Sequence, residues 1–490
     1  MKVLLVWPKT PDTFWSFNHV LPFISRKAAH PPLGILTAAA FLPRDWEIRL
    51  VDMNVRRMND ADIAWADYVM ISAMIVHVES AKEVIARCIA QKRAVIAGGP
   101  LFTTGHERFP EIDHFVLGEA EELMADLVAD MRAGTVKKYY LASRKPDVSR
   151  TPPPRWDIIR MKDYATMAVQ FSRGCPFNCE FCDIIVMNGR VPRVKTPEQM
   201  VAEFDSLVAA GWDGPVFVVD DNFIGHKVKA KSLLRAIIAW RQKHRMKITF
   251  LTEASLNVAD DGELLELLAQ AGFKKLFIGI ESPSEESLGE CSKVQNTGRD
   301  LVADVKKIQA AGLEVMGGFI VGFDSDKESI FERQWRFIQE AGVVTAMVGL
   351  LTALPETQLF KRLQKEGRLL GHSTGNNLDA VLNFVPKLDR ETLLNGYRDL
   401  VRRLYMPREY YHRILTFLRQ YKPTGPKTPI TALDIRAFLH SLWAMGVVGS
   451  GRFAFWRFVT RAFFFHRRAF AEAMGMAILG HHFRRVARSI

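Results

Sequence analysis

The sequence predicts an α/β protein with three consecutive parts: a Rossmann-like domain, a partial (β/α)6 barrel and a mainly helical carboxyl-terminal region. Strands alternate with helical patterns in two blocks, residues 1–140 and 166–355, and the alternation stops near residue 356. Such alternation is typical of parallel sheets covered by helices. The chain of 490 residues has the length of about two to four domains.

The first block predicts a parallel sheet with a ligand site at one edge. Candidate helices at 78–91 and 119–132 lie between candidate strands at 2–7, 47–51, 68–72, 94–97 and 114–116. Ligands of such sheets bind beyond the carboxyl ends of the strands. Three short polar or glycine-containing segments fall there, namely Ser72-Ala73, Gly98-Gly99-Pro100 and Gly118-Glu119.

A predicted linker, 141–165, leads into the second block. Its proline-containing runs at 143–147 and 151–155 favour extended chain. Six units of a strand followed by a helix come next, with helices such as 197–210, 231–243 and 261–271. Their strands are predicted at 166–171, 216–220, 248–252, 276–280, 315–321 and 345–351. In barrels of parallel strands the chemistry sits at the carboxyl ends of the strands.

The last part, 356–490, is predicted to be helical and to end in a basic, aromatic tail. Residues 451–490 contain eight arginines and one acid, Glu472, among many phenylalanines. The chain is 48% hydrophobic and 24% charged, with a net charge of +12, which suits a globular protein. Because no secretory signal and no apolar stretch of about 18 residues is seen, we expect a cytoplasmic protein.

Three of the five cysteines lie within eight residues, at Cys175, Cys179 and Cys182. Three thiolates on one loop can ligate three irons of a four-iron cube and leave the fourth iron open. A structural zinc site normally uses four ligands in two pairs, and the second pair is missing here. Neither Cys88 nor Cys291 sits near a motif that would supply a fourth ligand. The spacing therefore predicts a [4Fe–4S] site.

This Cys-x3-Cys-x2-Cys run, with an aromatic Phe181 just before the last cysteine, resembles the radical S-adenosylmethionine (SAM) superfamily. The resemblance implies that the open iron binds the amino and carboxylate groups of SAM. One electron then splits SAM into methionine and a 5′-deoxyadenosyl radical. Further candidates for SAM contacts lie at predicted strand ends, where each residue has the alternative role of a turn or helix cap: Asp220, Asp221, Glu253, Glu281, Ser282, Gly318 and Gly322.

The whole chain resembles radical SAM proteins with an amino-terminal cobalamin-binding domain, and hopanoid methylases are among the most similar-looking members. The motifs that carry this resemblance include His30-Pro31-Pro32-Leu33-Gly34, Asp52-Met53-Asn54 and Pro154-Arg155-Trp156-Asp157. It implies that cobalamin binds near Ser72, Gly98, Gly99, Gly118 and Glu119. The cobalt-ligating pattern Asp-x-His-x-x-Gly is absent, so a domain kept only as scaffold is the alternative. His30, His77 and His106 are expected to be surface or packing residues.

The resemblance implies methylation of an unactivated carbon, for instance of a lipid such as a hopanoid, with the substrate lying between the two cofactor domains. Dehydration, oxidation or rearrangement is the alternative if the cobalamin-type domain is only scaffold, and a non-catalytic iron-sulfur protein is a third hypothesis. The substrate is a small molecule or lipid, and a flavodoxin or ferredoxin would supply electrons. The basic tail fits either an anionic membrane surface or a solvated helical face; nucleic acid is less favoured because no RNA-binding motif is present.

Overall fold

The structure, a computed structural model, describes residues 1–244, 248–424 and 430–490. The strands of its first part are β1 (Lys2–Trp7), β2 (Glu47–Asp52), β3 (Tyr68–Ser72), β4 (Ala94–Gly98), β5 (His114–Leu117) and β6 (Tyr139–Leu141). They form one parallel sheet in the order β2-β1-β3-β4-β5-β6. The helices are α1 (Leu33–Ala39), α2 (Asp60–Trp65), α3 (Val78–Ala90), α4 (Pro100–Thr103) and α5 (Met124–Ala133).

This sheet is covered on both faces, as the sequence predicts. Leu4 and Val6 of β1 pack into a core cluster on one face, whereas Val3 and Leu5 pack into a cluster on the other. All four are fully buried. Successive side chains of a strand point to opposite faces, so an uninterrupted apolar strand needs cover on both sides.

Two details of the first part differ from the prediction. Strand β6 is not predicted, because only Tyr140 of its three residues is buried and the segment shows no apolar run. The helix expected at 119–132 begins at Met124 instead. The preceding Ala120–Glu122 form a 3-10 turn, and the Glu119 carboxylate is held by arginines of the second part.

The second part contains β7 (Met167–Val169), β8 (Ser172–Arg173), β9 (Arg193–Val194), β10 (Val216–Val218), β11 (Phe250–Glu253), β12 (Phe273–Glu281), β13 (Glu314–Val321) and β14 (Ala346–Leu350). Six of them form a parallel sheet in the order β7-β10-β11-β12-β13-β14, and β8 pairs with β9 antiparallel. The helices are α6 (Ile184–Met187), α7 (Pro197–Ala209), α8 (Lys227–His244), α9 (Gly262–Ala271), α10 (Glu285–Glu290), α11 (Leu301–Ala310) and α12 (Ile330–Ala341).

All six predicted barrel strands are present, and the first is shorter than expected. Strand β7 ends at Val169 rather than Phe171, because the backbone N–H groups of Phe171 and Ser172 donate to the Asp220 carboxylate at 2.7 and 2.9 Å. These two N–H groups are therefore not available to continue the ladder between β7 and β10. The strands follow one another in chain order, which is the arrangement of a partial barrel.

The third part is helical, as predicted, with α13 (Gln358–Lys365), α14 (Arg390–Leu404), α15 (Pro407–Gln420), α16 (Ala432–Ser441), α17 (Arg452–Phe465) and α18 (Phe470–Ser489). Its last helix packs on the amino-terminal part, where the rings of Phe483 and Phe14 stack at 4.2 Å. The His482 Nε2 atom lies 3.1 Å from the Phe14 carbonyl oxygen. Among the described helices, none is both long and apolar enough to cross a membrane.

Candidate functional site

The three cysteines lie on one loop that follows β8. Gly174 begins this loop with a φ of +96°, a conformation that L side chains rarely adopt. A Cβ atom there would lie 2.9 Å from the carbonyl oxygen of Gly189, the same oxygen that accepts the Cys175 N–H at 3.2 Å. Glycine at this position therefore lets the loop close against residues 188–191.

The thiols of this loop are unpaired and lie among polar groups. All five cysteines of the chain are free. Burial raises the pKa of Cys182 to about 12 and also raises that of Cys175, so ligation of the predicted cluster by these thiols would require the loss of their protons. Amide donors approach two of the sulfur atoms: Asn222 Nδ2 lies 3.7 Å from Cys175 Sγ, and Gln295 Nε2 lies 3.8 Å from Cys179 Sγ.

A buried cation that sequence reasoning missed lies beside this loop. Lys293 Nζ donates to Glu281 Oε1 at 2.7 Å, and both side chains are almost fully buried. Burial lowers the pKa of Lys293, but the nearby Glu281, Cys179 and Cys182 together raise it by more, so the net shift of this pKa is upward. A Cβ atom at Gly279 would lie 2.9 Å from Lys293 Nζ, which explains why a glycine precedes this ion pair.

A second cysteine environment also escaped the sequence reasoning. The backbone carbonyl of Cys291 accepts the Glu180 N–H at 3.0 Å, so this residue lies against the cluster loop. Its buried thiol lies 3.6 Å from the Leu288 carbonyl oxygen, to which it donates. Cys291 therefore supports the loop through its backbone, while its sulfur is engaged elsewhere.

A cavity of about 790 Å³ opens between the three parts of the chain. Its wall includes four of the SAM candidates, Phe181, Asp221, Glu281 and Gly318. Asp221 is also tied to the cluster loop, since its carboxylate accepts the Gly174 N–H at 2.8 Å and the Asn188 amide at 2.8 Å. The cavity thus lies at the carboxyl end of the barrel strands and borders the cysteine loop.

The other SAM candidates do not belong to this wall. Asp220 is buried and accepts hydrogen bonds from the backbone of Phe171 and from both the N–H and the hydroxyl of Ser172. Burial raises its pKa to about 7 against the lowering effect of these donors. Asp220 therefore shapes the strand that leads into the cluster loop, which is a structural task that its position at a strand end does not reveal.

Three further candidates, Ser282, Gly322 and Glu253, are also not part of this wall. Ser282 is fully buried and its hydroxyl accepts the Ser284 N–H at 3.2 Å, as in a turn. Gly322 has a φ of +105° and begins the turn after β13. Burial raises the pKa of Glu253 to about 8, and the neighbouring carboxylates of Asp221 and Asp220 add to this shift.

A second cavity, of about 260 Å³, lies at the carboxyl edge of the first sheet. All five cobalamin candidates border it: Ser72, Gly98, Gly99, Gly118 and Glu119. Gly99 has a φ of +89°, and a Cβ atom there would lie 2.8 Å from Ser72 Oγ. At Gly98, Gly99 and Gly118 the wall is bare backbone, which allows a ligand to approach closely at these positions.

Glu119 also joins this second cavity to the cluster loop. Its carboxylate accepts hydrogen bonds from Arg173 Nη1 at 2.7 Å and from Arg193 Nη2 at 2.8 Å. Arg173 Nη2 lies 2.6 Å from Glu121 as well. Because Arg173 directly precedes Gly174 and Cys175, this largely buried ion-pair network holds the edge of the first sheet against the base of the cysteine loop.

The three histidines considered above occupy different positions. His77 is fully buried, and its ring lies 3.0 Å from Thr10 Oγ1 and 3.2 Å from the Met74 backbone nitrogen. His106 packs edge-on against Phe115 and Tyr139. His30, in contrast, forms part of the wall of the large cavity. Packing roles are thus found for two of them, and the third borders the site.

Three family models match consecutive parts of the chain. Residues 21–128 match the B12 binding domain, residues 169–333 match the radical SAM superfamily, and residues 357–490 match a domain of unknown function, DUF4070. Among solved structures, the cobalamin-dependent S-adenosylmethionine radical enzyme OxsB has a TM-score of 0.63 at 16% identity, covering 100% of this chain and 80% of that one. The radical S-adenosylmethionine methyltransferase TsrM from Kitasatospora setae also scores 0.63 at 16% identity, covering 97% and 98%.

Two relatives match over nearly the full length. An uncharacterized methyltransferase of Synechocystis sp. is 42% identical over 463 residues, which covers 93% of this chain and 86% of the relative. The hopanoid C-2 methylase of Rhodopseudomonas palustris is 31% identical over 494 residues, covering 98% and 92%. The chain therefore belongs to the family of cobalamin-dependent radical SAM methyltransferases, whose cofactors are a [4Fe–4S] cluster, SAM and cobalamin.

Proposed function

We propose that this enzyme methylates an unactivated carbon of a polycyclic lipid of the hopanoid class. The observation that carries the proposal is the cavity of about 790 Å³ between the cluster loop, the first sheet and the helical region. Ligand cavities typically measure about 300–1,000 Å³. The full-length similarity to a hopanoid C-2 methylase supports the same substrate class.

The lining of the cavity suits an apolar substrate. Large aromatic and aliphatic side chains form much of the wall, including Trp7, Trp15, Phe181, Phe277, Phe319, Met347 and Leu354. Such a surface gains free energy by excluding water from a hydrocarbon skeleton, at roughly 25 cal/mol per Å² buried. Polar groups gather in the loop of residues 372–383, where Asn376, Asn377 and Asp379 also line the cavity. These groups suit a single hydroxyl or other polar end of the lipid.

The protein side chains divide the cofactor binding between them. Cys175, Cys179 and Cys182 would hold three irons of the cluster, and Asp221 and Glu281 on the cavity wall would contact the polar groups of SAM. Gly98, Gly99 and Gly118 would let the corrin or its nucleotide tail approach the backbone of the first sheet. When bound, the cofactors supply a carbon radical and a methyl group. The chain would hold the cluster and SAM at the large cavity and cobalamin at the second cavity, and the two cavities share Pro100, Met187 and Asn188 in their walls.

The net reaction balances with two molecules of SAM. The substrate C–H bond breaks and a C–CH3 bond forms, while the abstracted hydrogen atom ends in 5′-deoxyadenosine. One SAM yields methionine and 5′-deoxyadenosine, and the other yields S-adenosylhomocysteine after giving up its methyl group. Two electrons enter per turnover and neutralise the two sulfonium charges. A low-potential one-electron donor such as a flavodoxin or ferredoxin would supply them.

The test is methylation by the anaerobically reconstituted holoenzyme. A hopanoid dispersed in detergent is incubated with the enzyme, a reductant and SAM that carries a deuterated methyl group. We expect a methylhopanoid that carries the deuterated methyl group. One 5′-deoxyadenosine and one S-adenosylhomocysteine should form for each methylated lipid. The Cys179→Ala variant should lose the cluster and all three products.

The Cys88→Ala variant is the matched control, because Cys88 is equally buried but lies in α3 of the first sheet domain, away from the cluster loop. It should retain iron and activity. Formation of 5′-deoxyadenosine without methylated lipid would overturn the substrate proposal. Full activity after the cysteine substitution would overturn the assignment of the cluster.

A further inference from the structure

The carboxyl-terminal helices expose a continuous row of large apolar side chains. On α16 and the π-helical segment Leu442–Val447 that continues it, the exposed residues follow at intervals of four: Ile435, Leu439, Trp443 and Val447. On α17 and at its end the exposed residues are Phe453, Trp456, Phe463, Phe464 and Phe465. Residues three or four apart share one face of a helix, so the residues on α16 and its continuation form one stripe. On α17, Phe453, Trp456 and Phe463 form a second stripe, and Phe464 and Phe465 widen it at the end of the helix.

The two stripes adjoin each other. The indole N–H of Trp456 on α17 donates to the Gly446 carbonyl of the π-helical segment at 2.9 Å. The exposure is large, since Phe453 and Phe465 each show 79% of their surface to solvent and Trp443 shows 62%. Contiguous apolar patches of this kind mark interaction sites in proteins.

Arginines surround these side chains. Arg452, Arg457, Arg461, Arg467 and Arg468 are all exposed, and the guanidinium groups of Arg452 and Arg467 lie 5.2 and 5.6 Å from the ring centres of Phe453 and Phe463. Cationic and aromatic groups therefore occupy the same surface. We call the two stripes and these five arginines the aromatic–arginine face.

We propose that the aromatic–arginine face docks on the surface of an anionic lipid bilayer. Exposed phenylalanine and tryptophan side chains insert at the boundary between headgroups and acyl chains, while arginines bind lipid phosphates. Because residues 451–490 contain a single acid, Glu472, a second copy of this chain would bring arginines against arginines. Charge complementarity thus favours an anionic surface over self-association.

Helix α16, which carries part of the face, and helix α18 both contact the amino-terminal segment of the chain. The ring of His440 on α16 stacks on Phe23 at 4.1 Å, and α18 packs on Phe14. The same amino-terminal segment contributes Trp15 and Lys27 to the cavity wall. A lipid that leaves the bilayer at this face would therefore reach the cavity by passing along the amino-terminal segment of residues 14–27. This delivery role rests on the proposed function, whereas bilayer binding does not.

Flotation of the reconstituted holoenzyme with vesicles tests the proposal. Vesicles of phosphatidylcholine, with or without phosphatidylglycerol, are compared. We expect binding to the anionic vesicles only, and about a hundredfold loss of partition in the triple variant Arg457→Gln, Arg461→Gln, Arg467→Gln, because each basic residue at an anionic surface contributes about fivefold. Salt should weaken this contribution. The triple variant Phe453→Ser, Phe464→Ser, Phe465→Ser should also lose binding, with little dependence on salt.

Matched controls remove equally exposed residues elsewhere. Arg390→Gln with Arg402→Gln on α14, and Val228→Ser on α8, which is 73% exposed, should bind vesicles as the parent does. Iron content and thermal unfolding show whether each variant is folded. Vesicle binding that survives both triple substitutions, or no binding by the parent, would overturn the proposal. So would a parent dimer that the phenylalanine substitutions dissociate.

Activity in two media separates this proposal from the proposed function. The face variants should methylate a detergent-dispersed hopanoid as the parent does, but should lose activity on a hopanoid embedded in anionic vesicles. A parent that binds vesicles yet methylates no hopanoid in either medium would contradict the proposed function alone. Equal activity of parent and face variants on embedded lipid would contradict the delivery role.

Discussion

The substitution Gly99→Ala tests whether the second cavity binds cobalamin. Gly99 combines a φ of +89° with a ψ of −179°, a region that is essentially restricted to glycine and costs other residues about 1–3 kcal/mol. The added methyl group would lie 2.8 Å from Ser72 Oγ, 3.1 Å from the Ala73 carbonyl oxygen and 3.2 Å from the Ala73 nitrogen. The loop must therefore move, and its free side is the cavity.

We expect this change to weaken cobalamin binding by about 5- to 150-fold, which is the strain of about 1–3 kcal/mol expressed as a ratio. Equilibrium dialysis of hydroxocobalamin, followed by its absorbance, measures the effect. The double variant Gly99→Ala, Ser72→Gly should recover only part of the loss, because the φ strain and the contacts with the Ala73 backbone remain. Gly262→Ala, where no atom lies within 4 Å of the new Cβ, is the control. Unchanged affinity in Gly99→Ala would refute the assignment of this cavity to cobalamin.

Two further predictions concern stability. Arg173→Gln should lower the free energy of unfolding by about 3 kcal/mol, because it leaves Glu121 buried without its cation. The control Arg235→Gln removes an ion pair that is half exposed and should lower it by less than about 1 kcal/mol. Equal shifts of Tm in the two variants would contradict this prediction. Burial lowers the pKa of His77 to about 4, so protonation favours the unfolded chain as pH falls from about 6.5 to 4, and stability should drop by at most about 1.4 kcal/mol per pH unit. A His77→Gln variant should lose this part of the pH dependence, and parallel curves of Tm against pH for parent and variant would contradict it.

Strand positions were predicted well because their signals are local. The apolar run of β1 and the glycines after β4 lie within a few residues of each other, and all but one of the observed parallel strands were anticipated. The exception, β6, is an edge strand of three residues with two exposed side chains. Its pairing with β5 joins residues 24 positions apart in the chain, such as Phe115 and Tyr139, and a local pattern does not report such a contact.

The candidate site shows the same division. The spacing of Cys175, Cys179 and Cys182 predicted the cluster loop, but nothing in the sequence marked Lys293 or Gln295 as neighbours of that loop. Asp221 and Glu281 were chosen because they end predicted strands, and both line the large cavity. The same rule was misleading for Asp220, because two adjacent carboxylates at one strand end point to different surroundings.

By itself, the sequence determined the order of the three parts, the cluster motif and the glycines of the second cavity, since each depends on residue types within short segments. Only the tertiary structure decided that Glu119 binds Arg173, 54 residues away, instead of remaining free at the sheet edge. It also decided that the apolar stripes of α16 and α17 adjoin through Trp456 and Gly446. Burial and ion pairing depend on which distant segments meet, and that is set by the packing of the whole chain.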